Sequence, residues 1–485
     1  MPAQVNRKTV AHATLWTILD FILERGANFV IIVILARLLS PVEFGTVALL
    51  AVFIALAALL SESGFGQALI QRSDLSPEDI STAFWCNVGL AVAMVLLLYL
   101  SAPWIAAFFS EPQLVPLMHI MGGSVLLGAL GAVQRALLLR NLEYRRLLIV
   151  RVIATLSAGA VAVTLAYSGY GVFSLAFQSL TLAAITTVLL WITSQWRPHL
   201  IFSRTSARQL FGFGGFMLAS SILETIYSRA YTIFIGRMGD PAVLGLYGRA
   251  DATLQLTQGF VTYPINQVAF PAFAKAAGEP DLMRQGMRSA MKTANLLNIP
   301  AMMCLAALAD PFVRGVYGEQ WAGAVPFIQI LSLGGMLAPI HMLNLQALMA
   351  IGRSDLFFTL ELAKKIIGIS ILFTASFWGP IGIAWGVVAA GYCAIFINTI
   401  FSGREFGYGL FAQFKDAIPG IMLAIGMAGS VFLVLEFGPL EQSAYFLRLV
   451  LGGLVGALIW AVLALGLDLG ESRKLLSTLR KKHSS

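Results

Sequence analysis

The chain has 485 residues, of which 58% are hydrophobic and only 12% charged, with a mean hydropathy of +0.82 and a net charge of +8. Soluble domains carry about 25% charged residues, so the composition excludes a soluble globular protein. The apolar runs are about 20 residues long rather than alternating segments of about 10, which selects membrane-spanning helices over a membrane barrel.

In chain order, the hydropathy pattern predicts helices over residues 12–37, 44–64, 81–102, 115–138, 147–168, 171–194, 209–237 and 241–264. It predicts further helices over 289–309, 323–348, 357–378, 380–401, 417–436 and 444–467. The fold class is therefore an all-α integral membrane protein with about 14 spans. The basic start MPAQVNRK precedes a run that is too long and too charged for a signal peptide, so it reads as an uncleaved first span. Tight turns at SGYG and WGPIG join the fifth to the sixth span and the eleventh to the twelfth. Cys86, Cys304 and Cys393 sit in apolar runs with no metal-ligand spacing and no disulfide framework. No metal or cofactor site is expected, and no phosphate-binding G-x-x-x-x-G-K-[ST] loop occurs.

Numbering the connections alternately from an inner N-terminus places most bases on one side. These include Arg72, the run Arg135 to Arg151, Arg197 to Arg208, Lys275 to Lys292, Arg353, Arg404, Lys415 and the tail RKLLSTLRKKHSS. The other side holds Arg37, Arg237, Arg314 and Arg448. This bias predicts both termini in the cytoplasm and explains the net charge without nucleic acid. The outer loops are too short for an ectodomain, which argues against a glycan polymerase or ligase.

LARLLSPVEFGTVAL (35–49) matches IGRMGDPAVLGLYGR (235–249), with Arg37 on Arg237, Pro41 on Pro241 and Gly45 on Gly245, a shift of 200 residues. The same shift carries Ile22-Leu23-Glu24 onto Ile222-Leu223-Glu224 and Gln67 onto Gln267. A slightly longer shift pairs 102–111 with 310–319. The repeat predicts two lobes of about six helices each, related by an axis along the membrane normal. The expected lobes are 1–200 and 201–405, with two extra helices and a basic tail in 406–485.

Asp20, Glu24 and Asn28 form one stripe on the first helix, with Arg25 beside it. At 1.5 Å per residue Glu24 is expected ~18 Å from the inner edge, close to the midplane. Ser220, Glu224 and Ser228 form the matching stripe on the seventh helix, and Arg229 follows it; the eighth helix adds Arg249, Asp251, Gln255 and Gln258. A charge at the bilayer centre costs ~2.5–3.5 kcal/mol even on lenient scales, so these groups must face one another or water. They either lock the halves together as buried ion pairs or line a solvated cavity. In the second reading, Arg25, Arg229 and Arg249 bind an anionic substrate, Asp20, Glu24, Glu224 and Asp251 titrate, and Asn28, Gln255 and Gln258 line the wall. Recurrence of charge in both halves favours the cavity, and the planar guanidinium suits phosphate. Arg37 and Arg237 read as end caps, Glu361, Lys364 and Lys365 as structural, and His119 and His341 as packing residues. The glycines of FGFGGF (211–216) allow close helix approach.

LARLLSPVEFG, GFGQALIQRSDLSPEDISTAFW (64–85), GLYGRADATLQLTQGFVTYPINQVAFPAFAK (245–275) and ALMAIGRSDL (347–356) resemble the polysaccharide transporter family. That family includes the lipid-linked oligosaccharide flippases of the multidrug/oligosaccharidyl-lipid/polysaccharide exporter superfamily. The resemblance covers essentially the whole chain. It implies two lobes around a central cavity lined by the first, second, seventh and eighth helices. It also implies an undecaprenyl-pyrophosphate-linked oligosaccharide as cargo, moved to the periplasmic leaflet of the bacterial inner membrane. Arginines would receive the pyrophosphate, and a polysaccharide polymerase and chain-length machinery would be partners. The second helix lacks the base that some relatives carry there. A cation-coupled multidrug antiporter is the alternative, disfavoured by the several arginines.

Overall fold

The computed structural model describes the backbone of residues 7–62, 64–72, 74–436 and 443–466, and within these all side chains except those of 7–22, 210, 212–217, 354, 355, 358, 465 and 466. The regular structure of the described residues is all helical, with no strand among them. Two compact units divide the chain, Met1–Gly245 and Leu246–Ser485.

The first unit holds α1 (Arg7–Leu38), α2 (Pro41–Glu62), α3 (Phe65–Gln71), α4 (Pro77–Phe109), α5 (Leu114–Arg140), α6 (Tyr144–Tyr167), α7 (Val172–Thr193), α8 (Arg204–Ser228), α9 (Ala230–Arg237) and the first turn of α10 (Pro241–Lys275). Local chemistry sets the ends of these helices. Ser76 and Asp79 form a reciprocal capping box at 3.1 Å each way, with Pro77 at the first helical position of α4. The α6–α7 connection turns sharply because Gly169 and Gly171 hold φ of +81° and +52°, as the SGYG motif predicts. Arg140, expected to be a topological anchor, also donates to the carbonyls of Leu69 and Arg72 and so satisfies the end of α3. Within this unit α6 packs against α1 and α7, α5 against α4 and α7, and α8 against α2, α3 and α4.

The second unit holds the remainder of α10, then α11 (Pro280–Ala307), α12 (Ala309–Phe312), two irregular turns over Val313–Tyr317 and Glu319–Ala324, α13 (Val325–Gly335), α14 (Ala338–Ala350), α15 (Ser354–Ser376), α16 (Gly379–Phe406), α17 (Leu410–Glu436) and α18 (Tyr445–Gly466). Its main packings are α11 on α17, α15 on α16 and α17 on α18. Trp460 Nε1 donates to the carbonyl of Leu296 at 3.2 Å, tying α18 to α11.

Each predicted span falls on a described helix or helix pair. Among the described residues eight single helices are long and apolar enough to cross a membrane, and ten spans result if each of two bent pairs counts as one. The spans expected over 209–237 and 323–348 are interrupted, and the one over 289–309 ends at a bend. The first breaks at Arg229 between α8 and α9. The chain turns by 71° after α11 and by 41° between α13 and α14. Helix hydrogen bonds lost at such a break must be replaced inside the protein. Gln258 Nε2 donates to the Gly335 carbonyl at 3.0 Å, and Asn298 Nδ2 donates to the carbonyls of Gly335 and Met336 at 3.0 and 2.9 Å. The other four predicted spans, on α1, α8–α9, α10 and α15, carry the polar and charged residues singled out in the sequence.

The outward faces are apolar. Leu100, Trp104, Phe377, Trp378, Phe411 and Met422 are all exposed, a surface that water would not tolerate but lipid would.

Candidate functional site

Among the candidate residues of α1, Arg25 is exposed while Glu24 and Asn28 are half-buried. The side chain of Asp20 lies outside the described residues. Glu24 bonds Arg151 of α6 across 2.9 Å, with 35% and 44% of the two side chains exposed. Arg151, counted among the inner bases and within the span predicted over 147–168, sits two turns inside α6. The pair is ~21 Å from the Leu38 end of α1 and ~10 Å from the start of α6, by the helical rise.

On α8, Glu224 is exposed. Arg229 is exposed as well, and it occupies the junction itself, with φ −106° and ψ 4° between the last residue of α8 and the first of α9. The Arg229 backbone stays bonded across the break, its N–H donating to the Thr225 carbonyl at 3.1 Å and its carbonyl accepting from the Thr232 N–H at 3.0 Å.

Arg249 is placed differently. It is 8% exposed, and its guanidinium lies 5.8 Å from the ring centres of both Tyr317 and Trp321. Tyr317 is itself held by Thr253 at 2.9 Å, and Thr253 donates back to the Arg249 carbonyl at 2.8 Å. This is a desolvated cation between aromatic faces, an arrangement that positions a helix. Tyr317 and Trp321 were not anticipated, because their turns follow a bend that the hydropathy pattern does not reveal.

Further along α10, Gln255 donates to Asp251 at 2.8 Å, one turn away. Gln258 is engaged by the Gly335 carbonyl and so supports the α13–α14 break. The structure thus brings together Glu24 with Arg151, Asp251 with Gln255, and Gln258 with Asn298 through one shared carbonyl.

Glu361, Lys364 and Lys365 form a largely buried charged cluster. Both lysines bond Glu361, and Asn398 bridges Lys364 to His341 Nδ1 at 3.0 Å on each side. His119 stacks on Tyr99 with ring centres 4.5 Å apart, and Arg237 lies 5.3 Å from the Phe108 ring centre. The side chains of residues 212–216, most of FGFGGF, lie outside the described residues. No group of three or more His, Cys, Asp or Glu able to hold a metal occurs among the described residues.

The repeat-related residues meet one another. A methyl on Gly45 of α2 would collide with the Pro241 carbonyl, 2.5 Å from its carbon and 3.0 Å from the Gly245 nitrogen. A methyl on Gly245 would collide with the Pro41 carbonyl, 2.9 Å from its carbon and 3.1 Å from the Gly45 nitrogen. The contact, within the first unit, is reciprocal.

The helix order, the broken helices and the polar groups set inside long helices define a multi-pass helical membrane fold. It superposes on the lipid II flippase MurJ in its inward closed conformation with a TM-score of 0.75, 14% identity and coverage of 95% of this chain and 100% of that one. It also superposes on an inward-facing multidrug resistance MATE family transporter of the MOP superfamily, with a TM-score of 0.63, 16% identity and coverage of 81% and 96%. The sequence narrows the class. The family model described as polysaccharide biosynthesis protein matches residues 34–326, more than half of the chain, and the chain belongs to that family. It is 27% identical to the succinoglycan biosynthesis transport protein ExoT of Rhizobium meliloti over 99% of this chain and 98% of that protein. It is 26% identical to the teichuronic acid biosynthesis protein TuaB of Bacillus subtilis (84% and 85% covered) and 27% identical to the lipopolysaccharide biosynthesis protein WzxC of Escherichia coli (82% and 80% covered).

Proposed function

We propose that the protein carries an undecaprenyl-pyrophosphate-linked oligosaccharide from the cytoplasmic to the periplasmic leaflet of a bacterial inner membrane, for synthesis of an exported or surface polysaccharide. The observation that carries this reading is the end-to-end similarity to a polysaccharide transport protein, on a fold shared with a lipid flippase. The physical task is to move a doubly charged head through ~30 Å of hydrocarbon while its tail stays in lipid. Arginines inside long membrane helices serve that task because guanidinium binds phosphate oxygens in pairs. The exposed Arg25 and Arg229 are the stronger candidates. Arg249, enclosed by two aromatic rings, has the positioning role in this reading. The Lys/Arg bias supports cytoplasmic termini. The activity is carriage of a head group by alternating access, not covalent chemistry. Exchange of protons at Glu24 and Glu224 is its proposed coupling.

The test is complementation of a deletion strain. Arg25→Ala together with Arg229→Ala, expressed at the normal level, should block polysaccharide export and leave lipid-linked intermediates behind. Normal export by that double variant would remove both residues from the site. A drug-resistance phenotype without any glycan defect would instead favour the antiporter reading suggested by the MATE fold.

A further inference from the structure

In the second unit, where α11 begins and α16 gives way to α17, a recess of about 300 Å³ is lined by Arg284, Gln285, Arg288, Gly407, Tyr408 and Lys415. Every charged side chain on its wall is a base. The nearby acids are already engaged. Asp416, 6% exposed, accepts from Arg288 Nε and Nη2 at 2.7 and 3.0 Å, lies 3.6 Å from Lys292 Nζ, and accepts from the Tyr408 hydroxyl at 3.0 Å. Burial and this carboxylate push the Tyr408 phenol above its ordinary value, so it stays a donor. Arg284 bonds Asp281 at the rim at 3.0 Å, and its Nη1 lies 3.6 Å from where a Gly407 methyl would be. Three bases and no carboxylate line the recess, which leaves its wall positive. Arg288 is held rigid by its two bonds, so a ligand meets a guanidinium already fixed in place. Beside the recess, α17 presents Phe411, Phe414 and Ile418 to the surroundings, with Phe411 88% exposed.

We propose that this recess binds a phosphate ester, and that its source is the headgroup of an anionic phospholipid whose chains lie along Phe411, Phe414 and Ile418. Basic recesses between membrane helices at the headgroup level suit such lipids, and an apolar ridge next to the bases gives no advantage to a free anion. The proposal is independent of the transport reading, since it invokes none of the residues assigned to the cargo.

Native mass spectrometry of the full-length protein in a neutral detergent tests it, with phosphatidylglycerol and phosphatidylcholine as probes and inorganic pyrophosphate titrated separately by calorimetry. Wild-type protein should retain phosphatidylglycerol over phosphatidylcholine, and Arg284→Gln with Lys415→Gln should weaken that binding about thirty-fold, at roughly one kcal/mol for each base removed. This variant spares the Arg288–Asp416 pair. Lys415→Glu alone, at an exposed position, should give a comparable loss if the double variant proves unstable. Pyrophosphate binding that the variants abolish, without lipid retention, would keep the phosphate site and reject the lipid as its source. Equal retention of both lipids and no pyrophosphate binding, or binding that the variants leave unchanged, would overturn the proposal.

Discussion

Gly45→Ala and Gly245→Ala should release the contact between α2 and the first turn of α10. Each added methyl meets a backbone carbonyl rather than the end of a flexible side chain, so relief requires the helices to separate. Overpacking of this kind costs about 1–3 kcal/mol, which shifts a two-state equilibrium about 5- to 150-fold away from the closed contact. The two substitutions touch one contact, so their effects should not simply add. Intrinsic helix propensity predicts the opposite sign, because alanine stabilises a helix interior over glycine by about 1 kcal/mol. The assay is a pulsed spin-label distance between Val42→Cys and Ala242→Cys, with Cys86, Cys304 and Cys393 replaced by alanine. Native glycines should give one short distance, and the double alanine variant should add a longer population. Gly248→Ala is the control, since nothing lies within 4 Å of its methyl. An unchanged distance distribution with unchanged export in the double variant would refute the reasoning.

Asn298→Leu should destabilise the second unit by about 1–3 kcal/mol, because it takes the side-chain donor from the Met336 carbonyl at the α13–α14 bend; Gln258→Leu should cost less, since Asn298 still reaches Gly335. A thermal-shift assay in detergent reads both, and equal midpoints for wild type and Asn298→Leu would contradict it. A double-mutant cycle on Glu24→Gln and Arg151→Gln should return a coupling of about 0.5–1 kcal/mol, kept small by partial exposure. Strictly additive losses would remove the pair as a link between α1 and α6. Glu24→Gln with Glu224→Gln should flatten the pH dependence of transport, and an unaltered profile would dismiss proton exchange at these acids.

Most of the fold was legible because a bilayer imposes one rule on every span. Length and hydropathy located the helices, and SGYG marked a turn that its glycines then made. The bends were not legible. Gly335 is one glycine among 45, and nothing local distinguishes the one whose carbonyl Gln258 and Asn298 satisfy from far along the chain. The span predicted over 147–168 already held Arg151, but its bond to Glu24 required the packed structure. The repeat paired Gly45 with Gly245 by position, yet their mutual contact required the packed structure. For the candidate site, sequence depth treated Arg25, Arg229 and Arg249 as equivalent. Tertiary packing separates them, enclosing Arg249 between Tyr317 and Trp321 and leaving the other two exposed.

The most direct measurement traces lipid-linked intermediates by leaflet in cells lacking the gene. Carriage across the membrane predicts that the oligosaccharide builds up on the cytoplasmic side and that the wild-type chain restores its passage. Intermediates reaching the periplasmic leaflet at the normal rate without the protein would contradict the central claim.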